Sequence, residues 1–406
     1  MNNHIILLLY NSFNDPLSQN LAISYLMTLS ETRKYTFHVI TFEQNKYNIS
    51  DKDKIKKRLN NSGIFWYPLA FHSGKFLLLK KTYDFAVGSL LVFWIRIRHN
   101  AKLIIALSNI SGSFSFILSK LLKIKLMILN YEPHSLFQVE LGLWSSKSLK
   151  YLILNRLETY AGIYGDYILT GTDHMVKLLS KKAAHGHIFR APSSLDISIY
   201  RYNSLKRLAV RDEFNINDKK VLLYLGKLGG IYYGQEVADL CKYLSNKIKN
   251  IFCLIVTPSD HKVANYYFDN AKMDKQQYLI TEAFNRNDVI GFISASDIGL
   301  SAVPPTSSQK YRSPIKTGEY LLCGLPYITC SGISEDDKYA IDYNVGVVIK
   351  SFNYKHVDNK IQNIESFFNE DKQLLRKRCR YAGTVYRDKK NIDKIFNDIM
   401  REVFPP

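Results

Sequence analysis

Residues 313–328 combine the signals of a short helix with charged groups suited to phosphate. Ser313 is a typical N-cap, Pro314 suits the first helical position, and Gly324 suits the left-handed residue that ends a helix. Lys316 falls in the first turn, where a cation opposes the helix dipole at a cost of about 0.3–1 kcal/mol unless an anion lies nearby. A diphosphate bound to the free amides of that turn would remove the penalty. The pattern therefore predicts an anion site at the start of this helix.

Glu319 lies three residues after Lys316 and so falls on the same face of the predicted helix. A carboxylate in that place can accept hydrogen bonds from the two neighbouring hydroxyls of a ribose. We expect this helix to bind both diphosphate and ribose, with Ser313 and Thr317 beside them. The alternative is an ordinary solvated Lys–Glu pair on a surface helix.

A glycine-bearing turn follows the predicted strand 221–224. Gly226, Gly229 and Gly230 have no Cβ atom, so their backbone amides can approach phosphate oxygens closely. Lys227 would add a positive charge to the same loop. A strand that runs into glycines is also typical of a simple tight turn, and that alternative stays open.

The stretch Ser-Pro-Ile-Lys-Thr-Gly-Glu-Tyr-Leu-Leu-Cys-Gly-Leu-Pro resembles the donor-site motif of glycosyltransferase family 4, in the branch typical of bacterial surface polysaccharides. That family has the GT-B fold, takes a sugar from a nucleotide-sugar donor with retention of anomeric configuration, and needs no metal. It commonly carries two glutamates here. Glu319 corresponds to the second and Tyr311 stands at the first, so Ser313 and Lys316 are expected to bind the donor end.

The resemblance extends to the glycine-bearing turn, where the family places its diphosphate loop. Lys227 matches one basic residue of that loop, and Tyr233 replaces a second. Lys227 and Lys316 are therefore expected to share the charge of the departing diphosphate.

A third candidate loop, Glu132–Ser135, follows the predicted strand 125–130. It resembles the family's loop whose histidine faces the donor sugar, so the resemblance implies that His134 orients a sugar hydroxyl or stabilises developing positive charge. Glu132 is expected to bind the acceptor or to act as a base. The alternative is a loop histidine with an ordinary polar role.

Other candidate sites are weaker. Asp51-Lys52-Asp53 sits in a charged helix start, and His185-Gly186-His187 has no nearby cysteine or carboxylate to complete a zinc site. We therefore predict no metal and no cofactor besides the sugar-nucleotide substrate. The acidic segment 334–337 is predicted to be a solvated turn, and the alternative is that it lines the sugar pocket.

Apolar, β-branched runs alternate with helical patterns and supply the elements that must position these residues. Predicted strands are 5–10, 36–42, 63–67, 103–107, 125–130, 167–170, 221–224, 251–256, 278–280, 298–302, 326–329 and 346–349, and clear helices are 17–29, 83–98, 113–122 and 149–164. Such alternation implies parallel sheets covered on both faces. The expected fold is α/β, GT-B, with two doubly wound Rossmann-like domains facing across a cleft.

The predicted domains are residues 1–195 on the acceptor side, residues 196–385 binding the nucleotide sugar, and a C-terminal helix, 386–406, that packs back on the first domain. The polar stretch 190–220 is interpreted as the connection between the domains.

Composition limits the setting of the protein. Lys and Arg outnumber Asp and Glu by 55 to 36, a net charge of +19 that favours phosphorylated substrates or anionic membranes. The sequence contains no recognisable nucleic-acid recognition module, so nucleic-acid binding is not expected. The five cysteines include no Cys-x-x-Cys pair, which favours a cytoplasmic protein. The apolar run 85–95 is too short to span a bilayer and is either a buried helix or one lying at the membrane surface.

The sequence therefore predicts a cytoplasmic glycosyltransferase. If the helix over 85–95 lies at the membrane surface, the protein is peripheral at the inner face of the membrane. It is expected to move a sugar from UDP or GDP to a glycan or lipid-linked glycan without metal. Two alternatives stay open: a noncatalytic, membrane-associated assembly protein of the same fold, and a sugar-nucleotide epimerase.

Overall fold

The structure is a computed structural model that describes residues 3–45, 47, 49–182 and 186–405. The chain forms two compact units. The N-terminal unit comprises Met1–Pro192 together with Lys390–Pro406, and the C-terminal unit comprises Ser193–Lys389.

The strands and helices alternate along the chain. The strands are β1 Asn3–Leu9, β2 Tyr35–Glu43, β3 Ile64–Ala70, β4 Leu103–Leu107, β5 Lys125–Tyr131, β6 Tyr167–Thr170, β7 His187–Arg190, β8 Lys220–Leu225, β9 Ile251–Val256, β10 Tyr278–Thr281, β11 Ile298–Leu300, β12 Tyr327–Cys330 and β13 Gly346–Ile349. The helices are α1 Pro16–Ser18, α2 Ser24–Ser30, α3 Ile49–Asn60, α4 Leu77–His99, α5 Ser108–Leu122, α6 His134–Glu140, α7 Leu149–Tyr164, α8 Asp173–Ser180, α9 Ser204–Glu213, α10 Gln235–Lys247, α11 His261–Asn270, α12 Arg286–Ala295, α13 Ile315–Leu322, α14 Asp336–Asp342, α15 Tyr354–Val357, α16 Ile361–Asn369, α17 Lys372–Arg387 and α18 Lys389–Val403.

Within the residues that the structure describes, each unit contains one parallel sheet. The N-terminal sheet has seven strands in the order β3-β2-β1-β4-β5-β6-β7, and the C-terminal sheet has six in the order β10-β9-β8-β11-β12-β13. In each sheet the chain first adds strands on one side of its first strand and then crosses to the other side. The order therefore reverses between β1 and β4 and between β8 and β11, and ligands in such sheets bind beyond the carboxyl ends of the strands at that reversal. The predicted α/β class with two doubly wound domains is confirmed.

The predicted strands are all present, with ends that differ by a few residues, because buried runs of β-branched and aliphatic residues report strands covered on both faces. Strand β7 was not predicted, since it is only four residues long and partly exposed. The interpretation of residues 190–220 as a simple connection is wrong, because this stretch contains helix α9. Two arginines of α9, Arg207 and Arg211, have guanidinium groups 2.9 and 2.7 Å from the carboxylate of Asp297.

Helix α18 joins the core of the N-terminal unit. Ile392, Phe396, Ile399 and Met400 repeat at helical spacing and are buried beside the side chains of β1. The rings of Phe396 and Tyr25 stack at 4.9 Å. A helix from the far end of the chain therefore covers part of this sheet.

Candidate functional site

The glycine loop after β8, residues 226–234, has the backbone geometry that glycine permits. Gly226, Gly229 and Gly230 have φ values of 152°, 78° and 67°, a region that side chains with a Cβ rarely adopt. The amide of Leu228 donates to Ser259 Oγ at 3.0 Å and that of Gly229 to the Tyr233 carbonyl at 3.2 Å. These bonds make the loop a defined turn.

Three amides of this loop remain for a ligand. Within the described part of the chain, the N–H groups of Lys227, Gly230 and Ile231 donate no hydrogen bond. The side chain of Lys227 is exposed. The loop therefore offers free donors together with a solvent-accessible cation.

The glycine loop lies beside the segment that leads into α13. The Tyr233 amide donates to the Ala302 carbonyl at 3.1 Å, and β8 and β11 are adjacent parallel strands. Both segments therefore leave the sheet at the same edge, where the strand order of this unit reverses. The glycine loop is therefore bonded to the beginning of the connection that runs from β11 to α13.

Helix α13 begins later than predicted but ends as predicted. Its N-cap is Pro314, so Ser313 as N-cap is wrong; the Ser313 hydroxyl instead accepts from the Ser193 amide at 3.0 Å and from Arg387. At the other end, Gly324 has φ 77°, and the Leu325 amide donates to the Tyr320 carbonyl at 2.8 Å. This pattern is the Schellman motif that closes a helix with a left-handed glycine.

Lys316 and Glu319 form a partly buried pair. Lys316 Nζ lies 2.9 Å from Glu319 Oε2, with 35% of the lysine side chain and 6% of the glutamate side chain exposed. The Tyr200 hydroxyl lies 3.3 Å from Glu319 Oε1, and burial, followed by the charge of Glu319, raises the pKa of Tyr200. The interpretation as a solvated surface pair is therefore wrong. The pair holds a lysine in the first turn of α13.

A buried polar network lies beneath the start of α13. Arg387 donates to Thr317 Oγ1 and to Asp336 Oδ1, each at 3.1 Å, and Thr317 also donates to Asp336 Oδ1. Arg387, Thr317 and Asp336 are all 0% exposed. Burial raises the pKa of Asp336 to about 6, while Arg387 opposes the rise. The predicted solvated turn at 334–337 is wrong, because Arg387 from α17 compensates the buried carboxylate.

The two tyrosines assigned to the donor site have different surroundings. The Tyr233 ring stacks on Phe352 at 4.8 Å and borders a cavity of about 540 Å³ lined by α10 and residues 351–354. Lys227, Lys316 and Glu319 do not line this cavity. Tyr311 ends the short turn Gln309–Tyr311, where Lys310 Nζ lies 5.1 Å from its ring centre.

Glu132 and His134 lie together at the carboxyl end of β5 in the N-terminal unit. The Glu132 amide donates to Asn109 Oδ1 at 3.1 Å, and the His134 amide donates to the Glu132 carbonyl at 2.8 Å. The His134 ring meets Trp144 edge-on, with ring centres 6.0 Å apart. Both side chains are partly exposed, as expected for groups that contact a ligand.

Glu158 of α7 lies directly under this loop and was not predicted from the sequence. It is 3% exposed, and the Ser135 amide lies 3.2 and 3.1 Å from its two carboxylate oxygens. Burial raises the pKa of Glu158 to about 7, with Ser135 opposing and Glu132 adding to the rise. A usable signal was its helical spacing from the small residues Ala161 and Gly162, which marks the buried face of α7.

A second missed group lies at the amino ends of β1 and β2. His4, His38 and His99 have ring nitrogens that all lie within 4.8 Å of one another. Of the earlier metal candidates, His185 lies outside the described residues.

No helix in the described residues combines the length and the apolar character needed to cross a bilayer.

Comparison with known proteins supports the fold alone. No protein-family model and no curated protein matches the chain. Among solved structures, sucrose-phosphate synthase from Thermosynechococcus elongatus is similar with a TM-score of 0.72 and 12% identity, over 99% of each chain. The HepE protein of Anabaena in complex with UDP is similar with a TM-score of 0.69 and 12% identity, over 98% of this chain and 100% of the HepE chain. A glycosyltransferase from Rickettsia africae is similar with a TM-score of 0.69 and 13% identity, over 100% of each chain. The two doubly wound units and these similarities show that the chain has the GT-B fold.

Proposed function

We propose that this protein is a glycosyltransferase that moves a sugar from UDP or GDP to a glycan or lipid-linked glycan of the cell surface. One observation carries the proposal: at the strand-order reversal of the C-terminal sheet, the glycine loop after β8 is bonded through the Tyr233 amide to Ala302, which begins the connection from β11 to α13. The similar structures support it, since one is a glycosyltransferase and another contains UDP.

The donor would bind to the C-terminal unit. The free amides of Lys227, Gly230 and Ile231 and the first turn of α13 would hold the diphosphate, with the ammonium groups of Lys227 and Lys316 facing its charge. Glu319 accepts bonds from Lys316 and Tyr200 and still has lone pairs for ribose hydroxyls. Loss of the nucleoside diphosphate would thus leave its negative charge among fixed donors.

The transfer step would retain anomeric configuration and use no metal. His134 and Glu132 serve the sugar and the acceptor, and the leaving phosphate assists attack from the same face. This part rests on the family resemblance and on the position of both residues after β5. Comparison of the anomeric configuration of donor and product tests it, and inversion would contradict it.

Donor binding gives the direct test. Calorimetry with UDP- and GDP-sugars is expected to detect one site per chain, and Lys316→Ala is expected to weaken it at least tenfold, since bonds to charged groups contribute about 1.5–3 kcal/mol. The matched control is Lys249→Ala, which changes an exposed lysine just before β9, at the amino ends of the strands. No heat with any nucleotide sugar would defeat the enzyme proposal. Product formed without an acceptor would instead indicate an epimerase.

The noncatalytic alternative retains one supporting observation. The Tyr233 ring packs on Phe352, so the position of the family's second basic residue is filled by an aromatic contact. If Lys316→Ala left the cellular role intact while donor binding was lost, the protein would act in assembly.

A membrane-facing role is supported by the surface of α4, α5 and α7. Helix α5 contacts both other helices. Exposed apolar side chains recur at helical spacing along α4, at Leu79, Tyr83, Leu90, Trp94 and Ile97.

The charges of this surface match an anionic bilayer. The two acidic residues of these helices, Asp84 and Glu158, are buried, whereas Arg98, Lys120 and Arg156 are exposed. An apolar stripe with only basic exposed charges suits an anionic lipid surface. These features support the proposal that the protein docks on the inner face of the membrane.

Vesicle sedimentation tests this placement. The wild type is expected to bind vesicles with anionic lipid more than neutral ones, and Leu90→Glu is expected to reduce the bound fraction. Leu205→Glu changes an equally exposed leucine of the C-terminal unit and is the control. Equal loss in both variants would argue against docking through α4.

A further inference from the structure

Three histidines far apart in the sequence meet at the amino-terminal edge of the N-terminal sheet. His4 lies near the start of β1, His38 lies in β2, and His99 is the last residue of α4. Their ring centres are 5.3, 4.9 and 4.6 Å apart. This three-histidine cluster lies at the amino end of β1, whereas ligands of such sheets bind beyond the carboxyl ends of the strands. The proposed transfer site therefore does not use it.

We propose that the three-histidine cluster binds a divalent transition-metal ion, with Zn²⁺ as the best-suited ion. Imidazole nitrogens are preferred ligands of zinc, and three protein ligands plus water make a common four-coordinate site. Zn–N bonds of about 2.0–2.1 Å in a tetrahedron place the ligand nitrogens about 3.4 Å apart.

The observed nitrogens are close to that arrangement. His4 Nδ1 lies 3.0 Å from His38 Nε2, and ring nitrogens of all three residues lie within 4.8 Å of one another. His4 and His99 are only partly buried, so their side chains can rotate to close the difference and water can reach the fourth position.

The surroundings of His38 suit a ligand. Its Nδ1 lies 3.2 Å from the Tyr67 hydroxyl, which leaves Nε2 directed at the cluster. Metal-bound histidines generally donate their second ring N–H to such a partner.

The bound ion would stabilise the N-terminal unit. It would link β1, β2 and the end of α4, elements that are separate in sequence. The effect would be structural, because the cluster lies away from the carboxyl ends of the strands.

Metal content measured on untagged protein tests the proposal. After incubation with Zn²⁺ and gel filtration, elemental analysis is expected to find about one zinc per chain in the wild type, and Co²⁺ is expected to show the visible absorption of a four-coordinate site. His99→Gln changes a partly exposed ligand and is expected to lose both signals while retaining a native circular dichroism spectrum. His174→Gln, an exposed histidine of the same unit, should keep them.

A second variant separates metal binding from packing. Tyr67→Phe keeps the ring and removes only the hydroxyl near His38, and it is expected to weaken Zn²⁺ binding about 10- to 100-fold. Metal-free wild-type protein after incubation would overturn the proposal. So would zinc that survives in both His99→Gln and His4→Gln.

Discussion

The guanidinium of Arg387 lies 3.1 Å from Oδ1 of Asp336, and neither side chain is exposed to solvent. Arg387 also donates to the Ser193 carbonyl at 3.2 Å and to the hydroxyl of Ser313. One ion pair therefore ties the first residue of the C-terminal unit, the last turn of α17 and the segment before α13. The segment before α13 is therefore bonded to this buried arginine through Ser313.

Removing one partner of this pair should be costly. Arg387→Leu leaves the Asp336 carboxylate buried without its cation and is expected to destabilise the C-terminal unit by about 3–5 kcal/mol in denaturant unfolding. Lys338→Ala breaks the exposed pair with Asp342 and is expected to cost less than about 1 kcal/mol. Equal effects of the two variants would contradict the structural role of Arg387.

The glycine at position 318 makes room for the same arginine. A Cβ atom there would lie 2.9 Å from Arg387 Cγ in a closed interior, so Gly318→Ala is expected to destabilise by about 1–3 kcal/mol. Gly291→Ala, also in a helix, would meet nothing closer than 3.5 Å and is expected to be neutral or to stabilise by up to about 1 kcal/mol. Thermal unfolding of the two variants gives the comparison, and a neutral Gly318→Ala would show that Arg387 can shift freely.

Lys227 offers a test of the glycine loop that leaves the core untouched. Its side chain is exposed, so Lys227→Ala is expected to change unfolding by less than about 0.5 kcal/mol. Loss of its charge near a diphosphate is expected to weaken UDP or GDP binding about tenfold or more. Calorimetry on the wild type, this variant and Lys249→Ala gives the measurement. Unchanged affinity would remove Lys227 from the donor site.

Glu158 should make stability depend on pH. Its pKa is raised from 4.5 to about 7 in the folded protein, so the unfolded chain loses this proton first as pH rises. The stabilising contribution of protonated Glu158 is therefore complete below about pH 4.5 and is lost as pH rises through 7, a change on the order of 3 kcal/mol.

The isosteric variant Glu158→Gln isolates this effect. It removes the titration, so its stability relative to the wild type is expected to rise between pH 5 and 8, and urea unfolding at several pH values measures the difference. Asp173→Asn, an exposed carboxylate at the start of α8, serves as the control. A constant difference between Glu158→Gln and the wild type across this range would show that Glu158 is ionised throughout.

Local pattern was sufficient for all strands except β7 and for the end of α13, but it missed α9 and the N-cap of α13. A buried strand such as β4 or β9 is recognised from its own apolar run, and the Schellman end of α13 is recognised from Gly324. The strands that precede the glycine loop and the connection to α13 are neighbours in the strand order β8-β11. Each of these signals is contained within one segment or follows from the alternation of strands and helices.

The sequence by itself determined two doubly wound α/β domains, the glycine turn within residues 226–234 and the glycine that ends α13. Only the tertiary structure decided which buried polar groups meet. Asp336 and Arg387 are 51 residues apart, and His4 and His38 are 34 apart. The physical reason is that periodicity reports whether a side chain is buried, whereas its partner depends on strand order and on the helices packed across the sheet. A charge that looks solvated in its own segment is therefore compensated by a residue that local pattern cannot locate.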